Sequence, residues 1–256
     1  MGLETAAVLR AVPGVASVAV VRAPMPRPAS LAKRIRLVYR RRGPVGLATL
    51  PFRKLARLAG VGGASAPVPV PDGVRVVDVD GFRTEAGLAA LRALAPDLGV
   101  VDGTNVLREE TFGIPRFGCV NLHCGLLPDY KGAPPGFWEL RNGETEVGVT
   151  VHRVTAQLDA GPILAQGRAA LDPAPGGDVM AYLDALWRRT LRPIGWRLLA
   201  DVVAAVAEGR AEGRPQGAAA HPTYRLPDHR QIAELRRIVR ARRAGAGAGS
   251  GAGPAR

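Results

Sequence analysis

Apolar positions along this chain switch between two spacings, and the switches set out the elements before any motif is weighed. Leu3 to Arg10 has the spacing of a short helix, and Val15 to Val21 is a β-rich apolar run of the kind that forms a buried strand. A long excursion follows, with Pro-rich Pro24 to Pro28, Ser30 placed to cap a helix, and an Arg-rich amphipathic segment reaching Arg42. Gly43 and Pro44 break that segment, and a second helical stretch is expected to end near Gly60. Val74 to Val79 reads as a strand, Glu85 to Leu94 as a helix, and Leu98 to Val101 as a short apolar strand. Phe117 to Leu122 is the next strand, with Asn121 at its end. In Val147 to Val154, residues Val147, Val149 and Val151 share one face while Thr150 and His152 share the other. Asp178 to Glu208 is helical with Pro193 as a kink or break, and Gln231 to Arg243 is a final basic helix.

Strands alternating with helices predict an α/β fold, with a mostly parallel, Rossmann-like sheet flanked by helices. One main domain is expected over 1–208, carrying a basic helical insertion at 30–60. An extension over 209–243 ends in the basic helix. Residues 244–256, A-G-A-G-A-G-S-G-A-G-P-A-R, have no side chains that could build a core and are expected to be a disordered tail. No internal repeat is present.

Composition narrows this picture only slightly. At 256 residues and 47% hydrophobic content the chain can bury one sizeable core. Two cysteines, Cys119 and Cys124, are too few for a disulfide framework and suit a reducing compartment. No run approaches the roughly 20 apolar residues of a membrane span, and the start Met-Gly-Leu-Glu-Thr lacks the pattern of a secretory leader. A soluble, cytoplasmic protein is the expectation. A formal charge of +13 and a pI near 11.1 would point to polyanionic partners. That inference is discounted because lysine occurs only at Lys33, Lys54 and Lys131, the rest is Arg, and the Ala and Gly abundance suggests coding bias.

The chemistry is concentrated in three blocks: N-L-H-C-G-L-L-P-D-Y-K-G from Asn121 to Gly132, G-V-T-V-H from Gly148 to His152, and L-D-A-G from Leu158 to Gly161. In open α/β sheets ligands lie beyond the strand C-termini, so the loop after Leu122 is where reactive groups belong. Asn121, His123 and Asp159 supply an amide, an imidazole and a carboxylate, a set suited to acyl transfer. Singly, each has a plainer reading: Asn121 and Asp159 as turn residues, His123 as a structural histidine. The ordered combination favours a site.

In that order the blocks resemble the folate-dependent formyltransferases, a family that includes methionyl-tRNA, glycinamide ribonucleotide and sugar N-formyltransferases. The resemblance is firm from about Pro96 to Gln166 and weaker on both sides. It implies 10-formyltetrahydrofolate as co-substrate, no metal, and transfer of the formyl group to an amine of a small or phosphorylated acceptor. Asn121 would then stabilise the oxyanion, His123 handle the proton, and Asp159 orient the imidazole or a bound water. The segment Asp102, Gly103, Thr104, Asn105, Val106 and Leu107 resembles the loop whose backbone holds the pterin ring in relatives. Thr155 to Asp159, with Gln157 and Leu158, would close the other side. Leu126, Leu127 and Pro128 would shape the loop, and His152, also common in relatives, is read as a structural partner.

Three departures accompany the resemblance. Cys124 stands where relatives most often have Pro; a thiol nucleophile or a metal site is disfavoured because the cysteine spacing matches no zinc pattern. Relatives begin with an apolar strand and a turn, whereas this chain opens at the helix, so the first strand is expected to be missing and the chain N-terminally incomplete. Methionyl-tRNA enzymes carry a further β-barrel, for which too few residues come after Glu208, so tRNA is not expected as the acceptor. The segment 33–57 interleaves Arg and Lys with Ile35, Leu37, Val38, Leu47, Leu50 and Leu55; a solvated insertion is the commoner origin of such a pattern, peripheral contact with an anionic membrane or phosphate the alternative. Hydrolysis of the same folate is the rival within enzymes. A non-catalytic module binding folate, RNA or lipid is the rival outside them.

Overall fold

The computed structural model describes residues 2–24, 30–48, 69–104, 106–132 and 134–249. Helix α1 (Gly2–Arg10) leads into strand β1 (Val18–Arg22), and helix α2 (Leu31–Ala48) starts with the Lys33 amide donating to Ser30 Oγ at 3.2 Å. Gly43 interrupts α2 with φ 65° and ψ −165°, at the predicted break. The stretch expected to reach Gly60 lies outside the described residues from 49 onward. Strand β2 (Val74–Asp78), helix α3 (Glu85–Ala93) and strand β3 (Gly99–Val101) come next, each within two residues of its predicted span. A short helix α4 (Glu109–Phe112) precedes β4 (Cys119–His123), and helix α5 (Phe137–Asn142) precedes β5 (Glu146–Arg153).

The sheet is partly parallel rather than mostly so. Among the described residues β1–β2 and β3–β4 are parallel ladders, while β4–β5 and β5–β6 are antiparallel. Strand β6 (Ile163–Ala170, ILAQGRAA) has no counterpart in the sequence reading. Its composition explains the omission: Ala, Gln, Gly and Arg carry little strand preference, and the ladder to β5 is what makes the segment a strand. The remainder is helical: α6 (Val179–Leu186), a π-helical turn (Trp187–Leu191), α7 (Arg192–Ala207) and α8 (His229–Gly249). Asp178 caps α6 by accepting from the Met180 and Ala181 amides at 2.9 and 3.1 Å, and Pro193 falls in the first turn of α7, where its missing N–H is harmless. Helix α8 runs to Gly249, six residues past its predicted end at Arg243, and residues 250–256 of the expected tail lie outside the described residues.

The sheet is in two pieces, β1–β2 and β3–β4–β5–β6. Between the facing edges of β1 and β3 lies a cavity of about 770 Å³ lined by Val18, Val20, Leu98, Val100, Leu9 and Val206 among others. The four-stranded piece carries the main core: Val120, Val147, Val149, Val151, Leu191 and Leu199 are fully enclosed. One face of that piece is covered by α7, whose Gly195 lies so near Leu122 that an added Cβ would come 2.9 Å from its side chain. The opposite face, carrying Asn121, His123, Thr150 and His152, is covered by the loop 124–132.

Candidate active site

Antiparallel pairing of β4 with β5 sets the site's geometry. Asn121 lies directly opposite His152 and His123 opposite Thr150, so the polar members of two alternating strands meet on one face. The alternation in β5 is therefore not a solvent face. Thr150 is fully buried and ties down the loop: its hydroxyl donates to the Gly125 carbonyl at 2.7 Å and accepts from the Leu127 amide at 3.2 Å. Gly125 can have no side chain, since a Cβ would stand 3.0 Å from His123 Nε2 and run into the Tyr130 carbonyl. That close approach lets His123 Nε2 reach the Tyr130 carbonyl at 2.7 Å. The Leu127–Pro128 peptide is cis.

Backbone carbonyls assign both imidazole tautomers. A carbonyl only accepts, so His123 carries its proton on Nε2, leaving Nδ1 with a lone pair. His152 is the reverse: Nδ1 faces the Arg153 carbonyl at 2.8 Å, so Nδ1 holds the proton and Nε2 accepts. The Asn121 amide nitrogen lies 3.1 Å from that Nε2 and donates to it, which fixes which end of the amide is nitrogen. Burial holds the His152 pKa below its ordinary value; His123 and Lys131 push the same way, while the Arg153 carbonyl and Asp159 oppose it. A neutral His152 is what the Asn121 bond requires.

Asp159 joins the two strands' residues from outside the sheet. Its Oδ2 is 3.7 Å from His123 Nδ1 and its Oδ1 3.7 Å from His152 Nε2, both beyond hydrogen-bond range but well inside Coulomb reach. The same Oδ2 accepts from the Gly132 amide at 3.1 Å, and the residue is only 9% exposed. Asp159 sits at φ 48°, a left-handed backbone seldom taken by residues other than glycine. The following turn depends on Gly161, where a Cβ would be driven into the Arg153 carbonyl.

The three residues singled out from sequence are thus brought together. The expected pterin loop is adjacent, since Val101 pairs with Asn121 and Asp102 begins the loop after β3. Its side chains turn elsewhere: Asp102 Oδ2 accepts from Thr5 Oγ1 at 2.5 Å, Thr104 and Leu107 line the cavity between the sheets, Gly103 takes φ 68°, and Val106 is exposed. Asn105 lies outside the described residues. Gln157 and Leu158 are exposed on the turn leading to Asp159. Sequence reasoning missed the Tyr130 carbonyl, the Gly132 amide and Gln216; the first two are backbone groups that leave no side-chain signature. Cys124 is partly buried, and desolvation, with the carboxylate of Glu139 adding, pushes its thiol up to about 12. A thiolate nucleophile has no support there.

Residues 66–180 match the family model described as formyl transferase. Over 174 residues the chain is 36% identical to a methionyl-tRNA formyltransferase of Parabacteroides distasonis, covering 67% of this chain and 52% of that protein. This chain carries a formyltransferase domain. A methionyl-tRNA formyltransferase of Roseiflexus sp. is also 36% identical, over 178 residues covering 67% of this chain and 51% of that protein. The chain therefore spans about half the length of the curated relatives it matches. The fold is that of glycinamide ribonucleotide transformylase 1 from Symbiobacterium toebii, with a TM-score of 0.52 at 24% identity over 84% of this chain and 90% of that one. These relatives overturn the expectation that excluded tRNA. That expectation weighed the residues beyond Glu208, whereas the matched segment is the one that carries the chemistry, and its curated relatives are named for a tRNA substrate.

Proposed function

We propose that this domain transfers a formyl group from 10-formyltetrahydrofolate to an amine, and that the amine is the α-amino group of methionyl-tRNA. The acceptor rests on the names of the curated relatives, which are methionyl-tRNA formyltransferases. The observation that carries the reading is the placement of Asp159 within 3.7 Å of both imidazoles, with the Asn121 amide anchored on one of them.

In this reading the free amine attacks the formyl carbon, a C–N bond forms, and the carbonyl oxygen takes the negative charge. Asn121 uses one amide hydrogen on His152 and has a second for that oxygen. His123 presents the unprotonated Nδ1, takes the proton released by the amine, and passes one to N10 as the C–N10 bond breaks. The products are the N-formyl amine and tetrahydrofolate. Asp159 stabilises the imidazolium while it exists. The folate would lie along the backbone of 102–107 and of the turn 155–159. The first segment follows Val101, the strand partner of Asn121, and the second leads into Asp159, so peptide groups of both come next to the candidate site.

The test measures tetrahydrofolate release from 10-formyltetrahydrofolate with methionyl-tRNA, with glycinamide ribonucleotide, with an amino-sugar nucleotide, and with no acceptor. Release that requires methionyl-tRNA is the expected result. Release without acceptor would make the protein a hydrolase, and no release in any arm would leave a binding module.

A further inference from the structure

Asp159 sits at φ 48°, in the left-handed region that residues other than glycine enter sparingly, aspartate more readily than most, and contacts from outside its turn add to what holds it there. The segment after α7 supplies that support. Arg214 forms a two-way backbone bridge with Ile163, each amide donating to the other's carbonyl at 2.8 Å, which lays residues 213–216 beside the turn that ends in Pro162. Gly213 permits the approach, since a Cβ there would stand 2.7 Å from Pro162 Cβ. Two residues on, the Gln216 amide nitrogen donates to the Asp159 carbonyl at 3.0 Å and to the Gly161 carbonyl at 2.7 Å. Its two hydrogens close the two carbonyls of one turn. Its Oε1, by contrast, is buried without a hydrogen-bond partner among the described residues. The side chain leaves its acceptor unpaired while presenting both donors, an arrangement that is unfavourable for the acceptor and so marks the two donor bonds as the ones the fold keeps.

We propose that Gln216 is a positioning residue for the transfer reaction, acting through Asp159: it locks the 159–161 turn so that the carboxylate stands between His123 and His152. The proposal rests on the formyl-transfer reading for its kinetic consequence, and on geometry alone for its structural one. Gln216 touches no reacting atom. Replacing its amide by a carboxylate, Gln216→Glu, sets oxygen against two carbonyl oxygens and opens the turn without changing side-chain size; Gln216→Ala removes the donors altogether.

Two readouts test it. In steady-state kinetics, Gln216→Glu and Gln216→Ala should lower kcat 10- to 100-fold, as displacements of about 1 Å do, while KM for the folate stays within twofold. In amide NMR, the Gly132 N–H, which donates to Asp159 Oδ2 at 3.1 Å, should shift and exchange faster in Gln216→Glu. The same change should appear in Asp159→Ala, and the double variant should show no more than Asp159→Ala alone, because both act on one contact. Unchanged kcat, or a Gly132 resonance that stays at its wild-type position in Gln216→Glu, overturns the proposal. A Gly132 change that adds to that of Asp159→Ala overturns it too. Wild-type protein inactive with every acceptor would sink the formyl-transfer reading, and the Gly132 readout would still decide whether Gln216 holds Asp159.

Discussion

Strand β5 in the four-stranded piece and strand β1 in the two-stranded piece are both valine-rich, yet they are packed very differently. β5 has a hydrogen-bonded neighbour on each edge, and Val147, Val149 and Val151 are fully enclosed. Among the described residues β1 has a strand neighbour only on the β2 side, its other edge faces the cavity of about 770 Å³, and none of its five residues is fully buried. Valine content therefore does not decide how tightly a strand is held. Edge pairing does, because a strand paired on both sides is fixed in register and can be covered on both faces. The candidate active site lies on the strands held in this way. This doubly paired platform carries Asn121, His123 and His152, and Asp159 reaches the two imidazoles from the turn outside the sheet.

The largest effect that would sharpen this contrast is expected at Asn121. Removing one oxyanion donor typically costs about 3–4 kcal/mol in the barrier, so Asn121→Ala should lower kcat 100- to 1000-fold without moving the unfolding midpoint by more than a few degrees. If both kcat and stability fall together, Asn121 serves the sheet and not the reaction. His152→Ala should act in the same direction, because it releases the amide that His152 Nε2 holds at 3.1 Å.

The next test sets the two pieces of sheet against each other directly. Val149→Ala deletes two enclosed methyl groups and should destabilise by about 2–3 kcal/mol, the transfer term plus a cavity. Val20→Ala makes the same change beside space that is already open, and should cost less than about 1 kcal/mol. Urea unfolding of the two variants side by side reads the difference. Equal costs would mean that β1 is as firmly packed in solution as β5, and the contrast would fail.

The sequence revealed the α/β alternation and the three polar residues because each leaves a local mark: valine runs for β2 and β5, a Ser cap for α2, and Asn, His and Asp in ordered blocks. Strand β6 left none, since its pairing with β5 and not its composition makes it a strand. The antiparallel turn of β5 against β4 was equally illegible, and it is what places His152 opposite Asn121. Nor could sequence show that the Tyr130 carbonyl selects the His123 tautomer, because a peptide oxygen is the same in every residue. Gln216 lay 57 residues from Asp159, in a segment without periodic pattern.

A pH-dependent effect belongs to α5, whose Phe137, Trp138 and Leu140 belong to the same core cluster as Val147 of the well-packed piece. Glu139 in that helix is 2% exposed, and desolvation, with Glu144 adding, raises its carboxyl to about 7; the amides of Gly136 and of Glu139 itself oppose the shift. Below the ordinary carboxyl pKa near 4.5 both folded and unfolded states are protonated, and the group contributes nothing. Between 4.5 and about 7 the unfolded chain gives up the proton while the folded one keeps it, so stability falls as pH rises through that window. Glu139→Gln should abolish that fall and gain about 3 kcal/mol at pH 8, measured by urea unfolding across the pH range. A wild-type curve flat from pH 4.5 to 7 would refute it.

The smallest effect is expected at the outer end of β1, where Arg22 and Asp78, cross-strand partners, form a two-pronged ion pair at 2.9 and 2.8 Å. Each holds the other's charge, Asp78 below its ordinary pKa and Arg22 above it. Such geometry suggests a clasp for the two-stranded piece. The side chains are 53% and 70% exposed, however, and water screens most of what two charges gain at such a place. Arg22→Ala should therefore leave the unfolding midpoint unmoved, and raising the salt from 50 to 500 mM should not separate variant from wild type. A clear loss at low salt that vanishes at high salt would show that β1 and β2 depend on this pair. The weakly packed piece of the sheet would then owe its register to electrostatics, where the well-packed piece owes it to burial.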